Sequence, residues 1–566
     1  MKKLKQIYQG LKGALRISIK TVRSFSNKEK ISSLLVTILT LIVILPPIFR
    51  DERLSEVVTG TSVAESLYAE GLVGDIVHLN PVFTEFNEVD QDISSLIFSG
   101  LSKYDPETGE IAEDIATHIL MEDEKTYQFT LKNDIYWQDG TEVTAEDIYF
   151  TYHDVIQSPD FQNPILRANF EGVDVEMIDS RTVTFTLENT NSFFFTHTTV
   201  GLLPKHILGD VPVDELDTNE FNKYPVGTGP YMVVAPYEEV DDGEFVVELK
   251  RFDDYYGDLP TITDIRFHTF PDTESLLENE GQWHGTARIP RYLLAEAQEG
   301  RLGDYQYELP QYTALFMNTD GAYTGKRDIR LAISKAIDKG YIIDQIGYTK
   351  TIDTPLLELN QDEWIHQADQ EQAMGALYGE GWYLDDEDGF RYKNGEKLTL
   401  TLLRRVFDEG SKQEEITSMT VDIIKSQLAA VGIDVVVEGY DNETLQSKIQ
   451  NREYDLLLYG QNLGYNLDTY SYWHSSQATE YGLNLSNYRN PNADAYIERI
   501  RSTFNQDDKD ELLKSLAETI EEDIPAVFLY TPSYYFLVDE RVQGVAIEDI
   551  RFPSDRFATI ADWYFE

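Results

Sequence analysis

The strongest constraint in this sequence is a run of nineteen residues without a charge, Ile31 to Phe49 (ISSLLVTILTLIVILPPIF). At about 1.5 Å of rise per helical residue it reaches about 28 Å, close to the hydrocarbon thickness of a bilayer. Pro46 and Pro47 would end or kink its outer turn. Residues 1–30 before it hold nine basic side chains (Lys2, Lys3, Lys5, Lys12, Arg16, Lys20, Arg23, Lys28 and Lys30) and one acid, Glu29. That asymmetry predicts an N-in, C-out orientation. A cleaved signal peptide and a buried helix are the competing readings. Signal peptides have a shorter apolar region with small residues at a cleavage site directly after it. Here Pro-Pro-Ile-Phe-Arg-Asp-Glu-Arg follows, and Ser62-Val63-Ala64 lies well downstream. The run therefore reads as an uncleaved single-span anchor. No other segment approaches it, so the rest is expected to be one large water-soluble exterior portion.

Charge divides the same way. The 47 Lys+Arg and 100 Asp+Glu of the 566-residue chain sum to -53. Residues 1–30 contribute +8, so residues 31–566 carry 38 basic and 99 acidic groups, or -61. Such an exterior has no surplus of Lys and Arg to replace phosphate counterions, which excludes a nucleic-acid partner. With 42% hydrophobic residues the chain can build large cores, and its length suits three or four domains or sub-domains at roughly 150 residues each. The absence of Cys excludes disulfides, thiol nucleophiles, Cys-ligated metals and Cys lipidation.

Residues 50–72 read as a spacer, weakly periodic. Beyond it strands and helices alternate. Tyr127, Phe129 and Leu131 alternate with polar residues, as do Val183, Phe185 and Leu187, and Leu398, Leu400 and Leu402. Thr144-Ala145-Glu146-Asp147 has the form of a capping box, with Ile148, Tyr152 and Val155 following on one helical face. Ile329, Ala332, Ile333, Ala336 and Ile337 fall on another face. Ile416, Met419, Ile423, Leu428 and Val431 form a third, ended by Gly432 before the β-branched stretch Ile433 to Val437. The pattern predicts a mixed α/β fold in several lobes.

Enzyme chemistry finds no support. There is no His-Glu-x-x-His and no Gly-x-Ser-x-Gly. Gly227-Thr228-Gly229 lacks the Gly-Lys-Ser/Thr ending of a phosphate loop and reads as a turn. Setting Gly389 of Asp385-Asp386-Glu387-Asp388-Gly389 at the sixth position of a calcium loop puts Leu384 first and Gly395 twelfth, where acids are required. A hairpin turn is the better reading. Neither a catalytic residue, a metal nor a cofactor is expected.

A series of segments spread over the exterior portion resembles the extracellular solute-binding proteins of peptide and nickel ABC importers, the oligopeptide/dipeptide-binding type. The most specific runs from Tyr127 to Ile148 (YQFTLKNDIYWQDGTEVTAEDI). Others are Leu203-Pro204-Lys205-His206-Ile207-Leu208, Pro225 to Tyr231, Tyr255-Tyr256-Gly257, Phe316 to Thr319, Arg327 to Ala332 with Ala336-Ile337-Asp338, Val431-Gly432-Ile433, Tyr454-Asp455-Leu456, Asn487 to Pro491 and Ile524-Pro525. Each is weak alone, but their order and spacing make coincidence improbable.

The resemblance implies a two-lobed, periplasmic-binding-protein-like α/β clamp with an extra sub-domain, preceded by one transmembrane helix. The expected boundaries are a basic cytoplasmic stub at 1–30, an anchor at 31–49 and the spacer at 50–72. Lobe I follows at 73–315 with an inserted sub-domain about 96–204, then lobe II at 316–525 and a return to lobe I at 526–566. Chain crossings near Phe316–Thr319 and Ile524–Tyr530 would form the hinge, Thr144 would cap a helix, and Asp338 would end one. Ligand contacts would fall at Phe86 and Glu88, at Tyr459, Gln461, Asn462 and Tyr465, and near Tyr530. Peptide binders of this type commonly place an Asp where this chain has Gly464, to pair with the ligand's amino terminus; Asp468 or Glu88 would be the substitute. The implied protein is a monomer at the cell membrane that captures peptides and delivers them to ABC permease subunits. A nickel chelate, a sugar or a signalling peptide is the alternative ligand, and a surface enzyme or structural protein the alternative class.

Overall fold

The computed structural model describes residues 67–566 apart from 85–86, 242, 291–292, 295–301, 349, 360–366, 408–410, 466, 481 and 548–549. The stub, the run 31–49 and most of the spacer lie outside the described residues, as does Phe86. Among the described residues no helix is long and apolar enough to cross a membrane. The end of the segment read as spacer is a strand, Leu67–Val73, at the heart of the first lobe.

Two sheets organise the unit Glu65–Glu566. The first runs Leu302–Glu308, Ser533–Asp539, Gly285–Pro290, Leu67–Val73, Asp264–Phe270, Glu244–Arg251 and Tyr231–Val233, with Glu238–Asp241 paired beside Glu244–Arg251. The second runs Lys350–Thr351, Ala526–Thr531, Gln311–Met317, Leu456–Asn462, Thr399–Arg405 and Asp434–Tyr440. Leu67–Val73 and Thr399–Arg405 are each parallel to both neighbours, the setting that demands burial on two faces. Leu398, Leu400 and Leu402 are accordingly buried.

The lobes are joined by two short crossings that lie side by side. Leu302–Glu308 passes to Gln311–Met317 through Leu309 and Pro310 alone, and Ala526–Thr531 passes to Ser533–Asp539 through Pro532 alone. The crossing strands pair antiparallel on both sides, Glu308 with Ser533 and Thr313 with Tyr530. Proline offers no N–H, so the ladder lapses between them. This corrects the expected crossings near Phe316–Thr319 and Ile524–Tyr530. Gln311–Met317 and Ala526–Thr531 pair with each other inside the second sheet, so the chain changes lobe before the first and after the second. Lobe II accordingly begins near residue 311, not 316, and the return to lobe I begins near 533, not 526.

A separate four-stranded sheet, Ala116–Leu120, Thr126–Leu131, Thr182–Thr186 and Asp174–Met177, rises from the first lobe. Alternation works here as read from the sequence: Tyr127, Phe129 and Leu131 are buried and pack with Val183, Phe185 and Trp137. Asp147 Oδ2 accepts from the Thr144 N–H at 2.9 Å, closing the helix start. Ile329, Ala332, Ile333, Ala336 and Ile337 are all buried. Asp338 begins a helix rather than ending one: its side chain accepts from the Tyr341 N–H, capping Lys339–Ile346. In the helix Lys412–Ala430 Ile416, Leu428 and Ile424 are buried, with Met419 and Ile423 half-buried against the same core. Gly432 then turns at φ +87 into Asp434–Tyr440. Asp385 to Gly389 forms the expected hairpin turn, and Gly227 is wedged against the Ile97 carbonyl, where a Cβ would come within 1.9 Å.

Lobe I is tied together by a buried ion cluster. Arg556 donates twice to Glu70 Oε1 and, from Nη1, to Asp92 Oδ1 at 2.7 Å. Tyr68 closes the far side, its hydroxyl donating to Glu70 Oε2 at 2.7 Å. Burial alone would raise Asp92; Arg288 and Arg556 beside it outweigh this and hold its carboxyl below the usual range. Removing one member of such a buried set leaves the others uncompensated, at a cost of about 3–5 kcal/mol. Arg556→Leu is therefore expected to lower the unfolding free energy of the purified protein by that amount, read as a fall in the urea midpoint. A midpoint within experimental error of the parent would refute this account of the cluster.

Candidate functional site: the cleft between the lobes

Four segments meet between the sheets. The helix Glu88–Ile97 comes from lobe I, the loop 191–201 from the sub-domain, the turn 463–465 from lobe II and the segment 551–562 from the C-terminal return. Asn87 caps the first of them, its side chain accepting from the Val89 and Asp90 N–H groups. The helical part of the fourth starts at Pro553, with Asp555 two residues on, whose Oδ2 accepts from the Arg551 and Phe552 N–H groups at 2.9 and 2.8 Å.

Tyr465 spans the cleft. Its hydroxyl donates to Asp555 Oδ1, while its ring stacks on Tyr104 at 6.1 Å and meets Phe552 edge-on at 4.7 Å. One side chain of lobe II thus holds a carboxylate, a phenol and a phenyl ring of lobe I. Gly464 permits the approach: it sits at φ +56, and a Cβ there would come within 2.6 Å of the Phe552 ring. Burial pushes the Asp555 carboxyl up to about 6, against the hydrogen bonds it accepts, and raises the Tyr465 phenol.

Two cavities flank this bridge. One, of about 280 Å³, is lined by Thr84, Gln91, Ser94, Asn163, Asn169 and His197 among others, and no Asp, Glu, Lys or Arg lines it among the described residues. Burial, with the charge of Arg501 nearby, lowers His197 to about 4, so its imidazole is neutral at pH 7. The other, of about 570 Å³, carries Asp105, Glu107, Asp114, Asp258, Asp555 and Asp562 with Lys103 and the rings of Tyr104, Tyr255 and Phe557. A third cavity of about 320 Å³ lies within lobe II, between Arg327–Ala336 and Gln506–Asp523, and takes no part in the cleft.

The lobes also touch at the rim. The Ser192 N–H donates to the Arg501 carbonyl at 2.6 Å, and Phe193 enters the lobe II core at 8% exposure with Lys509 Nζ 4.4 Å above its ring. Among the described residues no group of three or more His, Asp or Glu side chains is arranged to hold a metal ion.

Residues 110–482 match the profile of the bacterial extracellular solute-binding proteins, family 5 Middle. The chain belongs to this family. Its members are substrate-binding proteins of ABC importers, not enzymes. The oligopeptide-binding protein AppA of Bacillus subtilis is 25% identical over 507 residues, covering 84% of this chain and 88% of AppA. The solved structure of that AppA in complex with a nonapeptide superposes with a TM-score of 0.70 at 23% identity, covering 88% of this chain and 99% of that one. NikZ of Campylobacter jejuni in complex with Ni(L-His) gives 0.70 at 22% identity, covering 89% and 100%. These structures share the two-lobed α/β fold.

Within this solute-binding fold the residues singled out from the sequence separate. Tyr465 lines both cleft cavities. Glu88 opens the cleft helix, its side chain 54% exposed and 3.4 Å from Arg288 Nε. Tyr459, Gln461 and Asn462 lie on Leu456–Asn462 and line neither cleft cavity. Tyr459 accepts from Gln446 at 2.8 Å, Gln461 is buried against the Tyr312 hydroxyl, and Asn462 Oδ1 accepts from the Gly464 N–H at 3.0 Å. Asp468 is buried beside Arg501 at 3.0 Å and accepts from the Tyr470 N–H. Tyr530 is buried in the lobe II core, its ring 5.0 Å from Tyr348. Sequence reasoning missed Asp555, Phe552, Tyr104 and His197. Pro553 with Asp555 is a legible helix start, but its position beneath the cleft is not.

The raised Asp555 carboxyl sets a pH dependence. A folded-state value above the unfolded one means that the native protein holds this proton longer. The stabilisation is then full below about pH 4 and lost as pH rises through about 6, amounting to roughly 3 kcal/mol between the limits. The unfolding free energy of the parent minus that of Asp555→Asn is expected to fall by about 1–3 kcal/mol between pH 4 and pH 7 in urea titrations. A difference independent of pH would show that Asp555 is not the titrating group.

Proposed function

We propose that this protein is the substrate-binding component of an ABC importer that captures peptides between its lobes and delivers them to membrane permease subunits. The observation that carries the reading is the Tyr465 bridge, a lobe II side chain seated in lobe I at the junction of two cavities. Clamp closure over a ligand makes such contacts, and the paired crossings at Leu309-Pro310 and Pro532 are the place where the lobes turn. Similarity to a protein whose structure contains a nonapeptide supports the ligand class. Peptide contacts are assigned to the stretch around Phe86 and Glu88 and to Tyr465, with Asn462 shaping the turn; Asp468, Tyr459, Gln461 and Tyr530 support the lobe II wall. A nickel chelate is the second reading, favoured by the likeness to NikZ and by His197 at the cavity wall.

The run Ile31 to Phe49 anchors the protein in the cell membrane as a single pass, with the acidic body outside as a monomer. Membrane and soluble fractions of expressing cells, probed for the full-length chain, test this. Recovery in the soluble fraction after high-salt washing alone would rule the anchor out.

Peptide binding is expected to raise the melting temperature, since a ligand at 100 times its Kd adds about 2.7 kcal/mol. Tyr465→Phe keeps the ring and removes the hydroxyl that reaches Asp555, so peptide affinity is expected to fall about tenfold by calorimetry, with the unliganded melting temperature nearly unchanged. Undiminished affinity would separate the bridge from ligand capture.

A further inference from the structure

Arg288 holds a backbone conformation that is uncommon for its residue type. It lies in the strand Gly285–Pro290 at φ +62, a left-handed backbone for a long side chain, where pairing with Ser533–Asp539 slips between Thr286 and Ile289. Residues persist in such conformations where the surroundings impose them, and these positions concentrate at ligand sites. The backbone N–H of Arg288 is satisfied by the Tyr307 hydroxyl at 3.0 Å. The guanidinium is not fully satisfied. Nη1 donates to Asp92 Oδ2 at 2.5 Å and Nε lies 3.4 Å from Glu88 Oε2, whereas Nη2 is buried and has no partner among the described residues.

Arg556 provides the internal comparison. It shares Asp92 with Arg288 and is more deeply enclosed, its side chain 1% exposed against 14%, yet each of its three nitrogens has an acceptor. A buried guanidinium donor without an acceptor is unfavourable, and native structures rarely keep one without a use.

The location gives that use. Tyr307 precedes the crossing at Leu309-Pro310 and Tyr534 follows the one at Pro532; their rings stack at 5.9 Å, and Gln311 donates to the Tyr534 hydroxyl at 3.1 Å. Arg288 therefore lies beside the two crossings, where the lobes join, and lines neither of the two cleft cavities. Glu88 begins the helix whose Gln91, Ser94 and Ser95 line the uncharged cavity. Its carboxylate, more than half exposed and held among the described residues by one long contact, is the movable cover on the Nε–Nη2 edge.

We propose that the Nε–Nη2 edge of Arg288 receives a carboxylate of the bound ligand, and that Glu88 is an internal carboxylate that yields this edge to it. The edge presents two parallel donors matched to the two oxygens of a carboxylate. Exchange of one carboxylate for another leaves the local charge unchanged, so an acidic protein can hold an anionic group here without a new ion. Either a peptide's C-terminal carboxylate or an Asp or Glu side chain supplies the chemistry. This rests on the peptide-binding reading above.

Calorimetric titration of the full-length protein with a peptide series tests it. Each peptide without acidic side chains is used as the free acid and as the C-terminal amide, and one amidated member carries an added Glu. Amidation is expected to weaken binding at least about tenfold. Glu88→Gln, which removes the competing charge at an exposed position, is expected to shift the acid-to-amide affinity ratio about threefold toward the free acid. Arg288→Gln should abolish the difference between acid and amide; if that variant does not fold, Glu88→Gln and the acid–amide comparison decide. Restored affinity in the amidated Glu peptide assigns the site to a side chain, and its failure to recover assigns the site to the C terminus. Equal binding of acid and amide, or an equal effect of Glu88→Gln on both, overturns the inference and leaves peptide capture standing. No binding by any peptide overturns both.

Discussion

The guanidinium of Arg556 fixes the relation among three distant parts of the chain. It joins Glu70 on the central strand, Asp92 on the cleft helix and its own C-terminal segment. Three charges with no access to water are stable only as a set, because each would otherwise face the desolvation penalty alone. The set fixes the register of Phe552 and Asp555 beneath the cleft, and those are the groups that Tyr465 of lobe II meets. The lobe I side of the cleft therefore hangs on an ion cluster that lines neither cleft cavity itself.

Closure is built from contacts of differing kind. Tyr465 contributes a polar bond and aromatic packing at the centre, whereas Phe193 inserts an apolar ring into lobe II at the rim beneath Lys509. Opening would wet Phe193 and separate the Tyr465 hydroxyl from Asp555, so the two sites oppose opening through different forces, apolar burial and hydrogen bonding. Between them the cavity walls divide by charge, one free of Asp, Glu, Lys and Arg among the described residues and the other rich in acids. A solute-binding protein with such a cleft selects by where it tolerates charge as much as by shape.

Local patterns were readable to the extent that local physics decides them. The alternation at Tyr127, Phe129 and Leu131, the five apolar residues of Ile329 to Ile337 and the turn at Gly432 follow from periodicity and backbone sterics. Asp338 was misread because an Asp between two helical stretches can end one or cap the next, and only its bond to the Tyr341 N–H chooses. The crossings were misplaced because a strand's sheet membership depends on partners far along the chain. Gln311–Met317 pairs with strands near residues 459 and 528, and no local pattern records that.

From the sequence alone came an apolar run between a basic stub and an acidic body, the family of that body, and the absence of enzyme motifs. These depend on composition and on motifs a few residues long. The availability of each acid was decided only by the tertiary structure. Asp468, Glu88 and Asp555 are chemically alike in sequence, yet one is buried beside Arg501, one covers Arg288 and one holds Tyr465. A carboxylate's role is set by the partner within about 4 Å of it, and the fold brings that partner from 33, 200 or 90 residues away along the chain.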